Sequence, residues 1–323
     1  MLTTRRFRFL VFALAVHAVF GFSVAPAADA PAGWKLVWSD EFDGKSIDGK
    51  KWDFDLGNGF YSIPAKQWIP GWGNDELEYY TREPENAFVR DGMLHIRALK
   101  KSRDGCAYTS ARLKSRKADG GELFNKAYGR FEFRAKLPTG QGIWPALWML
   151  PQTEKYGGWA ASGEIDVMEA RGQDPTKVLG TLHFGSRWPS NVHEGKDYIL
   201  PNKGSIAAFH VYAFEWEPGA MRWYVDDVLY STQTFWWSCS MPERGNGVNP
   251  ATERDLNPWP APFDQPFYLV MNLAVGGRFL GNPDESTVFP AEMAVDYVRV
   301  YDKVKGYAPP KARGAGKIPF GKR

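Results

Sequence analysis

Three carboxylates lie close together in one short apolar segment of this 323-residue chain. Glu164, Asp166 and Glu169 are spaced by three apolar residues. Because crowded acids repel one another, one of them should stay protonated near neutral pH. A carboxylic acid beside a carboxylate is the pair that cleavage of a glycosidic bond needs, since one protonates the leaving oxygen while the other attacks the anomeric carbon. The segment therefore predicts glycosidase chemistry.

The spacing of the three acids requires an irregular strand. Residues two apart share a face of a regular strand, so Glu164 and Asp166 point the same way, but Glu169 would point to the other side. One extra residue near Val167 or Met168, a β-bulge, would bring all three acids to one face and the glutamates to the ~5 to 5.5 Å separation of a retaining mechanism. A solvated alternating strand is the other interpretation, but it leaves Glu169 unexplained. We therefore predict a bulge.

Segments along most of the chain resemble glycoside hydrolase family 16, in particular its laminarinase-like, endo-β-1,3-glucanase branch. Residues 162–169 resemble the long, bulged form of the family's active-site signature. The resemblance covers roughly residues 34 to 302, and its other segments occur in the family's order: Trp38 to Phe42, Trp72 to Thr81, Tyr108 to Leu113, Tyr128 to Glu132, Trp144 to Pro151, Gly180 to Gly185, Phe267 to Gly277 and Val295 to Tyr301.

Apolar periodicity independently predicts an all-β fold. Charged residues alternate with apolar ones from Arg130 to Leu137, and no long amphipathic helical pattern occurs. An all-β sandwich follows, and the resemblance implies a jelly roll of two antiparallel sheets with a concave substrate cleft. We predict a signal peptide over residues 1–28, a catalytic sandwich over 29–302, and a disordered basic tail over 303–323.

Charge and composition exclude several classes of function. Without the three arginines of the leader and the seven bases of the tail, the body carries 30 bases against 37 acids, which argues against nucleic-acid binding. The leader is too short to be a good membrane span, and no later segment has the length and apolarity of one. We expect a secreted or periplasmic monomer whose partner is a polysaccharide. The pairing of Cys106 and Cys239 is left open.

The resemblance implies a role for each acid. Glu164 matches the nucleophile that forms a covalent glycosyl-enzyme intermediate, and Glu169 matches the general acid/base. Asp166 lies between them and would modulate the coupled titration of the group.

Several further residues are predicted to bind substrate. An indole covers the apolar face of a sugar ring, so tryptophans at cleft positions of the family, Trp144 and Trp148, are binding candidates, and Trp159 is a weaker one; core packing is the alternative for each. His183 matches a family histidine that contacts either the acid/base or a sugar hydroxyl, unless it is structural. Asn74 and Arg112 border the family's cleft, where each could bond sugar hydroxyls or brace a loop.

Catalysis should require no cofactor. The histidines lack zinc-type spacing. The resemblance implies a structural calcium site on the convex side, with oxygen ligands from Glu41, the Gly92 carbonyl and Asp296.

We therefore predict a secreted, retaining endo-glycoside hydrolase that cleaves β-1,3-glucan by double displacement. Mixed-linkage glucan, agar, porphyran and carrageenan are alternative substrates, and a noncatalytic β-glucan-binding protein is an alternative function. Such binding proteins typically lose the glutamates that this chain keeps. Hydrolysis and transglycosylation are not separated by the sequence. Departures from the family pattern include Phe184, the Arg278 to Leu280 segment, and Phe60 to Trp68, which looks like an insertion.

Overall fold

A computed structural model describes residues 30–62, 66–240 and 249–321 of the chain. The predicted signal peptide, residues 1–28, lies outside the described residues. Three short 3₁₀ helices occur at Gly71–Gly73, Pro201–Lys203 and Glu253–Asp255. The strands are β1 (Trp34–Asp40), β2 (Asp53–Asp55), β3 (Gly59–Ser62), β4 (Gln67–Pro70), β5 (Glu78–Tyr80), β6 (Ala87–Arg90), β7 (Met93–Ala98), β8 (Tyr108–Ser110), β9 (Arg112–Lys114), β10 (Asn125–Lys126), β11 (Gly129–Lys136), β12 (Ile143–Pro151), β13 (Glu164–Glu169), β14 (Lys177–Gly185), β15 (Asn191–Ile199), β16 (His210–Glu217), β17 (Ala220–Val225), β18 (Val228–Gln233), β19 (Phe267–Val275) and β20 (Ala291–Lys303).

Two large antiparallel sheets pack face to face as a sandwich. The front sheet has the order β15-β14-β13-β12-β19-β9-β2, with β10 also paired to β19. The back sheet has the order β18-β17-β16-β11-β20-β7-β6, with β1 also paired to β20. Two small sheets lie outside the sandwich, the β3–β4 hairpin and the parallel pair of β5 with β8. The predicted all-β jelly roll of two antiparallel sheets is confirmed.

Alternation along the strands explains why the two sheets stack. In β11, Phe131, Phe133 and Ala135 are fully buried between the sheets, while Arg130 and Glu132 point away from the core and pair with each other. Burying large aliphatic and aromatic side chains stabilises by about 1.5–3 kcal/mol each relative to exposure, so a core of this size holds the sandwich together. The front sheet contributes the opposite side of this core, with residues such as Leu147, Ile165 and Met271.

The part of the chain that the structure describes contains no α-helix. Within those ranges no helix is long and apolar enough to cross a membrane.

The C-terminal segment packs against the sandwich. Strand β20 extends to Lys303, and beyond it the Lys311 carbonyl accepts a hydrogen bond from Trp259 Nε1 at 2.7 Å. The Gly314 amide donates to the Thr234 carbonyl at 2.7 Å, and Ile318 joins the hydrophobic core. The prediction of a disordered tail is therefore wrong for the residues described up to 321, because one apolar side chain and several backbone hydrogen bonds fix a segment whose composition is otherwise polar.

Candidate active site

Strand β13 carries the three acids and contains the predicted bulge. On one side Asp166 pairs with Trp148 and Met168 with Leu147, so Val167 has no opposite residue on β12. On the other side the register with β14 also shifts between Asp166 and Glu169. The extra residue restores Glu169 to the face of Glu164 and Asp166, while Val167 and Met168 are both buried in the core. The predicted bulge is confirmed.

Burial and mutual repulsion raise the pKa values of both glutamates. Burial of Glu164, with the neighbouring Asp166, raises its pKa to about 7, although His183 and Trp159 act in the opposite direction. For Glu169 the same two causes raise the pKa to about 8, opposed by His183 and by Trp144. Of the two glutamates, Glu169 keeps its proton to the higher pH.

His183 places an imidazole beside two of the acids. Its Nε2 atom lies 3.3 Å from Asp166 Oδ2 and 3.6 Å from Glu164 Oε1. Burial lowers the pKa of His183, but contact with Asp166 and the charges of both glutamates outweigh it and raise the pKa to about 9. The ring is therefore a cation at neutral pH, and it offsets part of the negative charge of the acids.

Ligand atoms of Glu164, Asp166 and His183 lie within 4.8 Å of one another, a spacing that could also hold a metal ion.

Two indoles donate hydrogen bonds to the glutamates. Trp144 Nε1 donates to Glu169 Oε1 at 3.0 Å, and Trp159 Nε1 donates to Glu164 Oε2 at 2.9 Å. Trp144 is half-buried and its ring lies 4.7 Å from that of Phe279, whereas Trp159 is exposed. Each ring can therefore present a face to a sugar while its N–H orients a carboxylate.

Trp148 is anchored by a hydrogen-bonded chain that sequence reasoning missed. Its Nε1 donates to Asn272 Oδ1 at 2.7 Å, and Asn272 Nδ2 donates to the Tyr80 hydroxyl at 2.9 Å. Tyr80 donates in turn to Glu76 at 3.3 Å, and Glu76 accepts from Asn74 Nδ2 at 3.0 Å. Asn74 is thus connected to Trp148. Asn272 and Tyr80 fall in the family-like segments, which was the only available signal for them.

Arg112 braces the cleft between two rings. Its guanidinium lies 4.7 Å from the ring centroid of Trp72 and 4.6 Å from that of Trp148. Its Nε also lies 3.0 Å from Asp55 Oδ2. Such a clamped cation contributes to the rigidity of the cleft floor, and this favours the bracing alternative over direct binding.

Strand register gathers these side chains into one cross-strand row. Paired residues of antiparallel strands share a face, and the pairs run from Glu169 through Ala146, Asn272 and Arg112 to Asp55. The row crosses β13, β12, β19, β9 and β2 on the face opposite the core. A polymer lying along it would pass from the acids to the β2 edge of the front sheet.

The predicted calcium ligands belong to the back sheet. Asp40 pairs with Val298 and Leu94 with Val295, so register places Glu41, the turn at Gly92 and Asp296 near the middle of β20, between the segments that pair with β1 and with β7. The donors suit Ca²⁺ in type, but Arg299 Nη2 lies 2.8 Å from Glu41 and Arg134 Nη1 lies 2.6 Å from Asp296. An ion would have to compete with both guanidinium groups.

The chain is similar in sequence and in fold to known proteins. The sequence model of Glycosyl hydrolases family 16 matches residues 77–238. Glucan endo-1,3-beta-glucosidase A1 of Niallia circulans is 46% identical over 285 residues, which are 85% of this chain but only 39% of that protein. Beta-glucanase of Rhodothermus marinus is 42% identical over 303 residues, 92% of this chain and 94% of that protein.

A solved structure shows the same architecture. The catalytic domain of an endo-1,3-beta-glucanase (laminarinase) from Thermotoga petrophila RKU-1 is 43% identical and superposes with a TM-score of 0.69. The match covers 84% of this chain and 98% of that chain. Similarity therefore extends over the sandwich and includes the strand that carries the three acids.

Proposed function

Because this chain belongs to glycosyl hydrolase family 16, we propose that it hydrolyses internal bonds of β-1,3-glucan by a retaining, double-displacement mechanism. The observation that carries the proposal is the bulge in β13, which brings Glu164, Asp166 and Glu169 to one open face beside His183. The names of the two curated relatives and of the solved laminarinase domain support the glucan substrate.

The first step breaks the glycosidic bond. Glu169, whose pKa of about 8 keeps it protonated at neutral pH, donates its proton to the leaving oxygen. A carboxylate oxygen of Glu164 attacks the anomeric carbon, and a covalent glycosyl-enzyme forms. Trp159 donates a hydrogen bond to the other oxygen of Glu164, which orients the carboxylate for attack.

The second step releases the sugar and restores both acids. Glu169, now a carboxylate, takes a proton from water, and the hydroxide oxygen attacks the anomeric carbon. Glu164 leaves as a carboxylate, and the configuration at the anomeric carbon is retained. Positively charged His183 stabilises the negative charge that Glu164 and Asp166 share whenever both are ionised. Transfer to a second sugar would use the same intermediate.

A substrate panel tests the function directly. The purified protein is incubated with laminarin, lichenan, agarose and carrageenan, and the linkages of the products are determined by NMR. Release of β-1,3-linked oligosaccharides of several lengths is expected, with the β-anomer formed first. Cleavage of agarose or carrageenan with no action on laminarin would reject the proposed substrate, and no cleavage of any polymer would favour a binding protein.

A single substitution tests the nucleophile. Glu164→Gln should lower kcat on laminarin on the order of 10³-fold or more, because an amide cannot form the glycosyl ester, while oligosaccharide binding stays nearly intact. Glu285→Gln, at an exposed loop acid, is the matched control and should retain activity. Full turnover by Glu164→Gln would remove the assignment.

We further propose that the enzyme acts outside the cytoplasm. The basic and apolar leader of residues 1–28 supports export, since it has the order of a signal peptide.

A further inference from the structure

The β3–β4 hairpin presents an exposed aromatic pair beside the front sheet. Tyr61 pairs with Trp68 across the two strands, so both rings lie on the same face of the hairpin. Tyr61 is 59% exposed and Trp68 is 49% exposed. Large aromatic side chains rarely remain this exposed as a pair without a binding role, because their burial would be favourable.

The other face of the hairpin is fixed to the protein. Phe60 pairs with Ile69, and the Phe60 ring lies 6.3 Å from the ring of Trp72. Both Phe60 and Ile69 also approach Gly73, where a Cβ atom would lie 3.8 Å from each side chain. The hairpin therefore contacts the protein through Phe60 and Ile69, although Phe60 is itself 41% exposed, and the Tyr61–Trp68 face is the more open of the two.

Chain connectivity places the hairpin at the β2 end of the front sheet. The row that starts at Glu169 ends at Asp55 on the edge strand β2, and the chain passes from Asp55 into the hairpin within four residues. A packed path leads the same way, from Trp148 over the Arg112 guanidinium to Trp72 and then to Phe60. The hairpin that carries the aromatic pair therefore lies next to the β2 end of the row.

We propose that Tyr61 and Trp68 form a sugar-binding platform that holds a glucan chain beyond the β2 edge of the front sheet. This inference rests on the proposed function, and it gives the hairpin a role in binding long substrate chains. The ligand is the apolar C–H face of neutral hexose rings, with the Tyr61 hydroxyl and Trp68 Nε1 available for sugar hydroxyls. Two flat rings side by side can stack on successive sugars of a polymer. Each stacked sugar adds binding energy at a distance from the glycosidic bond that is cleaved.

Chain length separates this platform from the catalytic centre. In a Glu164→Gln background, calorimetry measures binding of long-chain laminarin and of laminaribiose, which is too short to span from the acids to the hairpin. The double variant Tyr61→Ala/Trp68→Ala should bind the long chain about tenfold more weakly and the disaccharide unchanged, since two stacking contacts are lost. In the otherwise wild-type enzyme, KM for the polymer should rise while kcat stays.

Two controls match these substitutions. Leu229→Ala removes a side chain that is 48% exposed on β18 of the back sheet, and long-chain affinity should not change. Tyr61→Phe/Trp68→Phe keeps flat rings at both positions and should keep the affinity within about twofold. If the double alanine variant fails to fold, as judged by near-UV circular dichroism, Tyr61→Ala alone gives the test, with a smaller loss expected.

The outcomes distinguish failure of the platform from failure of the proposed function. Unchanged long-chain affinity in the double alanine variant, or an equal loss for polymer and disaccharide, overturns the platform. A wild-type protein that forms dimers through this face, with the double variant monomeric and equally tight for glucan, also overturns it. By contrast, a wild-type protein that leaves every β-1,3-glucan uncleaved rejects the proposed function itself.

Discussion

The two glutamates of β13 differ through the indoles that contact them. Both are half-buried and both lie near Asp166 and His183, yet Glu164 accepts from Trp159 and Glu169 accepts from Trp144. A hydrogen bond to the ionised form lowers a carboxyl pKa, so each indole opposes the effect of burial on one acid. Each of the two proposed catalytic residues therefore has its own indole that lowers its pKa.

The pKa values predict the pH dependence of activity. In the proposed mechanism Glu164 must be ionised to attack, so activity should fall as pH drops below about 7. Glu169 must be protonated to donate, so activity should fall as pH rises above about 8. We expect a bell-shaped profile of kcat/KM on laminarin with its maximum between these values. Initial rates over the pH range check it, and a flat profile through the alkaline limb would contradict the acid assignment.

Substitution of each indole should move one limb of that profile. Trp159→Phe removes the donor to Glu164 and should shift the acidic limb to higher pH, whereas Trp144→Phe should shift the alkaline limb to higher pH. Trp72→Phe, whose ring contacts Arg112 and not the glutamates, is the control and should move neither limb. Equal shifts of both limbs in all three variants would show that the indoles act only on packing.

At the scale of the element, the bulge decides which way Glu169 points. Deletion of both Val167 and Met168 would place Glu169 directly after Asp166 and turn it toward the core, whereas deletion of Val167 alone would give a regular strand that keeps Glu169 on the face of Glu164. For the double deletion we expect loss of all activity and destabilisation by about 3 kcal/mol or more, because a carboxyl group would be buried without partners. Val167→Ala keeps the residue count and should retain activity with a smaller loss of stability. Urea unfolding and laminarin assays measure both effects.

The bulge and the site around it were not equally accessible to sequence reasoning. An odd spacing of acids in a β-like segment was enough to predict the bulge, because alternation is a local rule. The chain from Trp148 through Asn272 to Tyr80 depends on the register of β12 with β19 and on β5, which are far apart in sequence. Local patterns carry no information on such pairings, so only the resemblance indicated those segments.

At the scale of the whole molecule, we propose that calcium binding at Glu41, Gly92 and Asp296 would link β1, the β6–β7 turn and β20. A chelator should then lower the melting temperature, and added Ca²⁺ should restore it, since an ion that binds only the folded state stabilises it. The effect should be small, because Arg299 and Arg134 already neutralise the two carboxylates. Asp296→Ala should remove any response, and an unchanged melting temperature in the wild type would argue against the site.

The C-terminal segment links regions that are distant in the chain. The Lys311 carbonyl accepts from Trp259, whose ring lies 4.5 Å from that of the buried Trp236. Further on, the Gly321 amide donates to the Pro250 carbonyl at 3.0 Å. The proline, glycine and lysine of this segment predict a solvated end. A few specific contacts are nevertheless enough to order it, because they add to a core that is already folded.

Two neighbouring apolar residues of this segment should therefore differ in their contribution to stability. Ile318 is 9% exposed and belongs to the hydrophobic core, whereas Phe320 is 43% exposed. Ile318→Ala should reduce the free energy of unfolding by about 2 kcal/mol, through lost burial and the space left behind. Phe320→Ala is the matched control and should change it by about 0.5 kcal/mol or less. Urea unfolding of the chain through Arg323 measures both. Equal effects would mean that the segment is not docked in solution, because only a docked segment gives Ile318 neighbours that Phe320 lacks.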